Sequence, residues 1–112
     1  MPYVRVETNA QIVDENFVAD LSKLTAEKVG KPEAYVMISV HGGVNMSFGG
    51  TAAPCALLTL KSLGLQAAQC KELSAVLCGF MGDKLSIPAD RIYVEMDTHD
   101  REMFGWNGNT FG

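Results

Sequence analysis

The stretch GKPEAYVMISV, residues 30–40, returns in altered form as SIPADRIYVEM, residues 86–96. The two lie 56 residues apart, half the length of the 112-residue chain. Pro32 falls on Pro88, Val36 on Ile92 and Ile38 on Val94. Upstream, Phe17 falls on Leu73, Leu21 on Leu77, Leu24 on Phe80 and Val29 on Leu85, and Glu27–Lys28 falls on Asp83–Lys84. A helix face followed by a proline and a strand, twice at one spacing, points to two copies of one unit.

Each unit reads strand, helix, strand. Residues 2–8 alternate as a strand does. Asp14 or Asn16 can cap the helix that follows. Phe17, Leu21, Leu24 and Lys28–Val29 give a helical stripe. Gly30 ends that helix and Pro32 stops its continuation. AYVMISV is rich in strand formers, and HGGVNMSFGG reads as a turn region with a short extended piece, with His41 in the turn. CALLTLKSL opens the second unit as a strand, a helix follows from about Gln69 to Leu85, and RIYVEMD is its last strand. The expectation is one α+β domain over residues 1–112, with internal repeats at roughly 2–42 and 55–97. Right-handed crossovers then give a four-stranded sheet with both helices on one face.

The other sheet face needs cover too. Val36, Ile38 and Val40 oppose Tyr35 and Met37, and Ala56, Leu58 and Leu60 oppose Cys55 and Leu57. Both faces read as apolar, and further copies of the chain in a closed symmetric oligomer are the simplest cover.

Bulk properties narrow the function. Hydrophobic residues make up 47% and charged residues 20%, as in a globular chain. The net charge is −4 with scattered Lys and Arg, which argues against a nucleic-acid footprint. No apolar run reaches the length of a membrane span, and Arg5 and Glu7 interrupt any signal-peptide core. The expected location is the cytoplasm. The three cysteines, Cys55, Cys70 and Cys78, form no Cys-x-x-Cys and read as reduced, mostly buried thiols.

The chain opens MPYVRVET. Proline is tolerated at the first residue of a strand. Removal of Met1 would also leave Pro2 with a free secondary amine. With this opening, GKPEAYVM, MSFGGTAAPCA and GWNGNTFG complete a set, in order, that runs from Pro2 to Phe111. The set resembles the macrophage migration inhibitory factor family of the tautomerase superfamily.

That resemblance implies a homotrimer whose sheets surround a central channel. It implies keto–enol tautomerisation of phenylpyruvate-like and dopachrome-like substrates, with Pro2 as the catalytic base. Lys31 matches the substrate-binding lysine. Ser62 and Leu63 match the segment whose backbone N–H, at Leu63, contacts substrate. Tyr35, Tyr93, Trp106 and Phe111 match aromatic positions around the pocket, Tyr93 coming from a neighbouring subunit. Glu95 stands where the best-known members have asparagine, Phe104 replaces a smaller aliphatic residue, and Lys61 stands where histidine is common. The Cys-x-x-Cys of some members is broken, because Leu58 follows Cys55 by three residues.

The implied chemistry needs one base that returns its proton and a stabiliser for the enolate. An α-amino group titrates at about 7.7–8.0, and a secondary amine higher. An apolar wall of Tyr35, Phe104, Trp106 and Phe111, with Lys31 nearby, would lower that value. Lys31 would hold the substrate carboxylate and the Tyr93 hydroxyl the carbonyl side, with no metal or organic cofactor.

Plainer readings exist. Lys31 follows a helix C-terminus, where a cation is favourable anyway. The aromatics can simply pack on the sheet. Glu95, Asp97 and His99 alternate, but one His with carboxylates is more often a solvated strand end than a metal site. Three functions compete: a tautomerase; a cytokine-like ligand of a cell-surface receptor, secreted without a signal peptide; and a binding trimer without turnover.

Overall fold

Val4, Val6, Leu58 and Leu60 are completely or almost completely buried and alternate along two central strands, β1 (Tyr3–Thr8) and β3 (Ala56–Lys61). The protein is described by a computed structural model covering residues 1–112. Around those strands lie α1 (Phe17–Val29), β2 (Met37–His41), α2 (Ala67–Leu85) and β4 (Ile92–Asp97). The sheet order is β2-β1-β3-β4. β1 runs parallel to β2, β3 runs parallel to β4, and β1 and β3 are antiparallel. Two strand-helix-strand units thus join through their first strands.

The two units match in detail. Phe17, Leu21 and Thr25 of α1 are buried, and so are Leu73, Leu77 and Met81, their equivalents in α2. All of these but Thr25 join the inner face of the sheet in one continuous apolar core. Fully burying one such leucine contributes about 1.5–3 kcal/mol. Gly30 caps α1 in the left-handed region at φ 76°, and Ser86 caps α2 there at φ 58°. Pro32 and Pro88 follow, each opening a short 3-10 turn before the next strand. α2 begins two residues before the expected Gln69, because Gln66 and Gln69 form a reciprocal capping box. Asn16 is the cap residue of α1. Its N–H donates to Asp14 Oδ1 at 2.9 Å, and its own side chain caps nothing.

The structure corrects four expectations. The outer sheet face is mixed rather than apolar: Tyr3, Met37, Leu57 and Tyr93 alternate with Arg5, Glu7, Ser39, Thr59, Lys61, Glu95 and Asp97. The apolar reading came from β2 and β3, and the polar residues of β1 and β4 break it. Tyr35 lies in the turn before β2, not on the sheet. His41 ends β2 instead of lying in the turn, its Nε2 within 2.6 Å of Ser39 Oγ. Only Cys55 is buried, while Cys70 and Cys78 are half-exposed; all three are free.

Arg91 organises the long connection between β2 and β3. Its guanidinium donates to the carbonyls of Phe48, Thr51, Ala53 and Pro54 and sits 5.4 Å from the Phe48 ring centroid. After β4 the chain forms a small hairpin, β5 (Gly105–Trp106) and β6 (Asn109–Thr110). Asn107 and Gly108 turn it at φ 53° and 76°, the pattern of an Asn-Gly hairpin turn. No helix is long and apolar enough to cross a membrane.

Candidate functional site

The ends of several elements meet at the start of β1. The Pro2 carbonyl accepts a hydrogen bond from Met37 N–H at 3.0 Å, which seats the chain start beside β2. The left-handed cap at Gly30 lets the N–H groups of Gly30 and Lys31 both donate to Ala26 O, at 3.0 and 3.1 Å. Lys31 is thereby fixed just beyond α1. Past β3, Ser62 N–H donates to Asp97 O at 3.2 Å, which positions Leu63. The Leu63 N–H makes none of the chain's backbone–backbone hydrogen bonds. The hairpin closes the far side.

Met1, Lys31, Tyr35, Leu63, Arg101, Trp106 and Phe111 line one cavity of about 370 Å³. A second, of about 390 Å³, shares Met1, Tyr35 and Trp106 and adds Pro2, Tyr3, Met37 and Phe104. Both volumes suit a small molecule. The aromatic wall is continuous. Tyr35 meets Trp106 edge-on with centroids 5.9 Å apart, Trp106 stacks on Phe111 at 6.1 Å, and Phe111 lies 6.0 Å from Phe104. Such pairs hold rings in defined orientations.

Pro2 is fully buried, and its nitrogen is a peptide amide because Met1 precedes it. The free amine at this place is therefore that of Met1. It titrates below the ordinary 8.0, first because it is partly buried and then because Lys31 and Arg101 repel its proton. Neither Lys31 nor Arg101 takes part in any ion pair of the chain.

Of the ten residues singled out in the sequence, seven meet here: Pro2, Lys31, Tyr35, Leu63, Phe104, Trp106 and Phe111. Ser62 is buried behind them, and its hydroxyl has no hydrogen-bond partner. Tyr93 and Glu95 lie elsewhere on the chain. Tyr93 is 66% exposed and lines a different cavity of about 290 Å³ with Met46, Cys55 and Leu57. Its ring lies 4.8 Å from that of Phe48. Glu95 is exposed beside Thr59 on the outer sheet face. No three His, Cys, Asp or Glu side chains come together in a way that could hold a metal ion.

Sequence reasoning missed Arg101 and Phe48. Phe48 lies in the quoted MSFGG, but its partner Tyr93 is distant in sequence. Arg101 is flanked by Asp100 and Glu102 and looks like an ordinary solvated loop residue.

Comparison with known proteins bears on the fold and the family. The family described as Macrophage migration inhibitory factor (MIF) matches residues 1–112. The macrophage migration inhibitory factor of Rattus norvegicus is 39% identical, over 99% of each chain. The homologue from Brugia malayi is 37% identical over 100% of each. The crystal structure of the homologue from Prochlorococcus marinus superposes with a TM-score of 0.93 at 37% identity, covering 98% of this chain and 99% of that one. The structure of the factor from Trichinella spiralis gives 0.93 at 31% identity, covering 97% and 99%. With the doubled strand-helix-strand fold and the full-length match in agreement, this chain belongs to the macrophage migration inhibitory factor family.

Proposed function

We propose that the protein, once Met1 is removed, is a cofactor-independent keto–enol tautomerase of phenylpyruvate-like and dopachrome-like acids, with Pro2 as its base. One observation carries the proposal: the chain's free amine lies in an aromatic-walled recess beside Lys31 and Arg101 and titrates low. Removal of Met1 would expose the Pro2 amine to the same surroundings. The burial and the two cations that depress the Met1 amine would act on a Pro2 amine in the same direction, favouring its neutral, basic form.

The step is a proton shift. The neutral Pro2 nitrogen takes a proton from the carbon next to the substrate carbonyl, the C–H electron pair forms the enolate C=C bond, and the carbonyl π pair moves to oxygen. The protonated amine then returns the proton to that oxygen. Lys31 holds the substrate carboxylate, so the aromatic ring lies against Tyr35, Trp106 and Phe111 and the reacting carbon faces the amine. Leu63 N–H is free to donate to substrate. Tyr93 and Glu95 would reach the site from a neighbouring subunit of a homotrimer. The test is a phenylpyruvate tautomerase assay on protein whose N-terminus has been verified by mass spectrometry. Trimmed protein is expected to turn over and Met1-retaining protein to be inactive. Equal activity in both would remove Pro2 from the mechanism.

The second reading is a cytokine-like ligand of a cell-surface receptor, secreted without a signal peptide. It draws on the names of the relatives. The family resemblance implies that the two roles can coexist.

A further inference from the structure

Lys31 and Arg101 line one cavity, and neither takes part in an ion pair. Lys31 comes from the end of α1, whereas Arg101 comes from the 3-10 turn that leads into the hairpin. Arg101 is held by its own segment. Its Nε–H donates to Phe111 O at 3.0 Å, and Phe111 N–H donates back to Arg101 O at 3.1 Å. Phe111 in turn stacks on Trp106. The Nε bond orients the guanidinium, and its two terminal nitrogens bond to nothing else in the chain. A planar fork of donors, anchored at one nitrogen and open at the others, suits a carboxylate better than a point charge does.

We propose that Arg101 is a second anion-binding residue of this site, gripping the carboxylate of a small aromatic acid together with Lys31. The proposal rests on reading this cavity as the substrate site. Arg101 approaches from the hairpin side and Lys31 from the helix side, so the carboxylate lies between them at the mouth. The ring then lies along Trp106 and Phe111, and the carbon next to the carboxyl-bearing carbonyl is turned toward the N-terminal amine. Arg101 therefore makes the site selective for acids over their neutral analogues.

Binding separates this claim from turnover. Calorimetry on trimmed protein would use 3-phenylpropanoate and its neutral isostere 3-phenylpropanamide, neither of which tautomerises. Arg101→Gln is expected to weaken the acid roughly tenfold, as loss of a charge-assisted hydrogen bond does, and to leave the amide within about twofold. Arg101→Lys, which keeps the charge and loses the fork, should fall between the wild type and Arg101→Gln for the acid. Equal weakening of acid and amide would make Arg101 a structural prop for Phe111 and overturn the proposal. So would an unchanged acid affinity, or a wild type that prefers the amide. If the acid binds through Arg101 yet phenylpyruvate is not turned over, the tautomerase assignment fails and the clamp stands.

Discussion

Tyr93 lies level with Glu7, at the end of β1 opposite to the one Pro2 enters. Leu57 of β3 pairs with both, placing Tyr93 two strands away from β1 on the sheet's edge strand. Within one chain Tyr93 cannot share a cavity with Pro2. A site that uses both must draw them from different copies.

The first prediction follows from that separation. The protein should be a homotrimer by light scattering at micromolar concentration, with its sites shared between neighbours. Tyr93→Phe should lower kcat/KM, and so should retention of Met1. Co-assembly of the two defective chains should restore some activity, because some sites then combine an intact Pro2 with an intact Tyr93. A monomer of full activity, or mixed trimers no better than the sum of their parents, would contradict the shared site.

The second concerns the N-terminal amine. In Met1-retaining protein it should titrate below 8.0, measurable by the pH dependence of its acylation. Lys31→Met and Arg101→Gln each remove a like charge that disfavours the protonated amine, so each should raise that value. Neither should restore it fully, since burial is the largest cause. In trimmed protein the same two changes should move the rising limb of the tautomerase pH profile to higher pH. A limb that stays in place in both variants would show that neither cation tunes the base.

The third uses the internal repeat. Gly30 and Ser86 occupy equivalent caps, both left-handed, and a side chain is strained there while glycine is not. Ser86→Gly should raise the unfolding free energy by about 0.5–1 kcal/mol in urea titration, with an unchanged m-value. Gly30→Ser, the mirror exchange, should lower it by a similar amount. A destabilised Ser86→Gly would mean that the serine side chain contributes something the backbone geometry does not reveal.

These comparisons show what the sequence could disclose. The helix faces were legible because burial repeats every three or four residues in both halves, and Pro32 and Pro88 mark the same turn twice. The outer sheet face reads as apolar from β2 and β3 alone, whereas β1 and β4 bring Arg5, Glu7, Glu95 and Asp97 to it. The hairpin at Asn107–Gly108 carried a local signal, an Asn-Gly pair between Trp106 and Asn109, that went unused beside the family motif containing it. Lys31 and Tyr35 were legible through GKPEAYVM, and Trp106 and Phe111 through GWNGNTFG. Arg101 was not, because its role depends on a backbone contact with Phe111 that brings it back over the cavity.

The last prediction concerns Glu95. It follows Tyr93 by two residues on β4, so both side chains leave the outer face of the sheet. If a neighbour's Tyr93 enters the site, Glu95 accompanies it to the rim. A carboxylate there favours the protonated form of the Pro2 amine and raises its pKa, against the effect of Lys31 and Arg101. It also repels the substrate carboxylate that those two cations attract. Glu95 is exposed in the single chain, so water weakens both effects and the change should be modest. Glu95→Asn should raise kcat/KM for phenylpyruvate at neutral pH by a few-fold, a size typical of a screened charge pair. It should also shift the rising limb of the pH profile to lower pH, since the amine loses its proton more readily. The gain should shrink as pH rises and the wild-type amine becomes neutral in its turn. Added salt should narrow the difference between the two proteins, because screening removes what the charge contributes. A variant that is unchanged or slower at every pH would place Glu95 outside the site or among its useful groups.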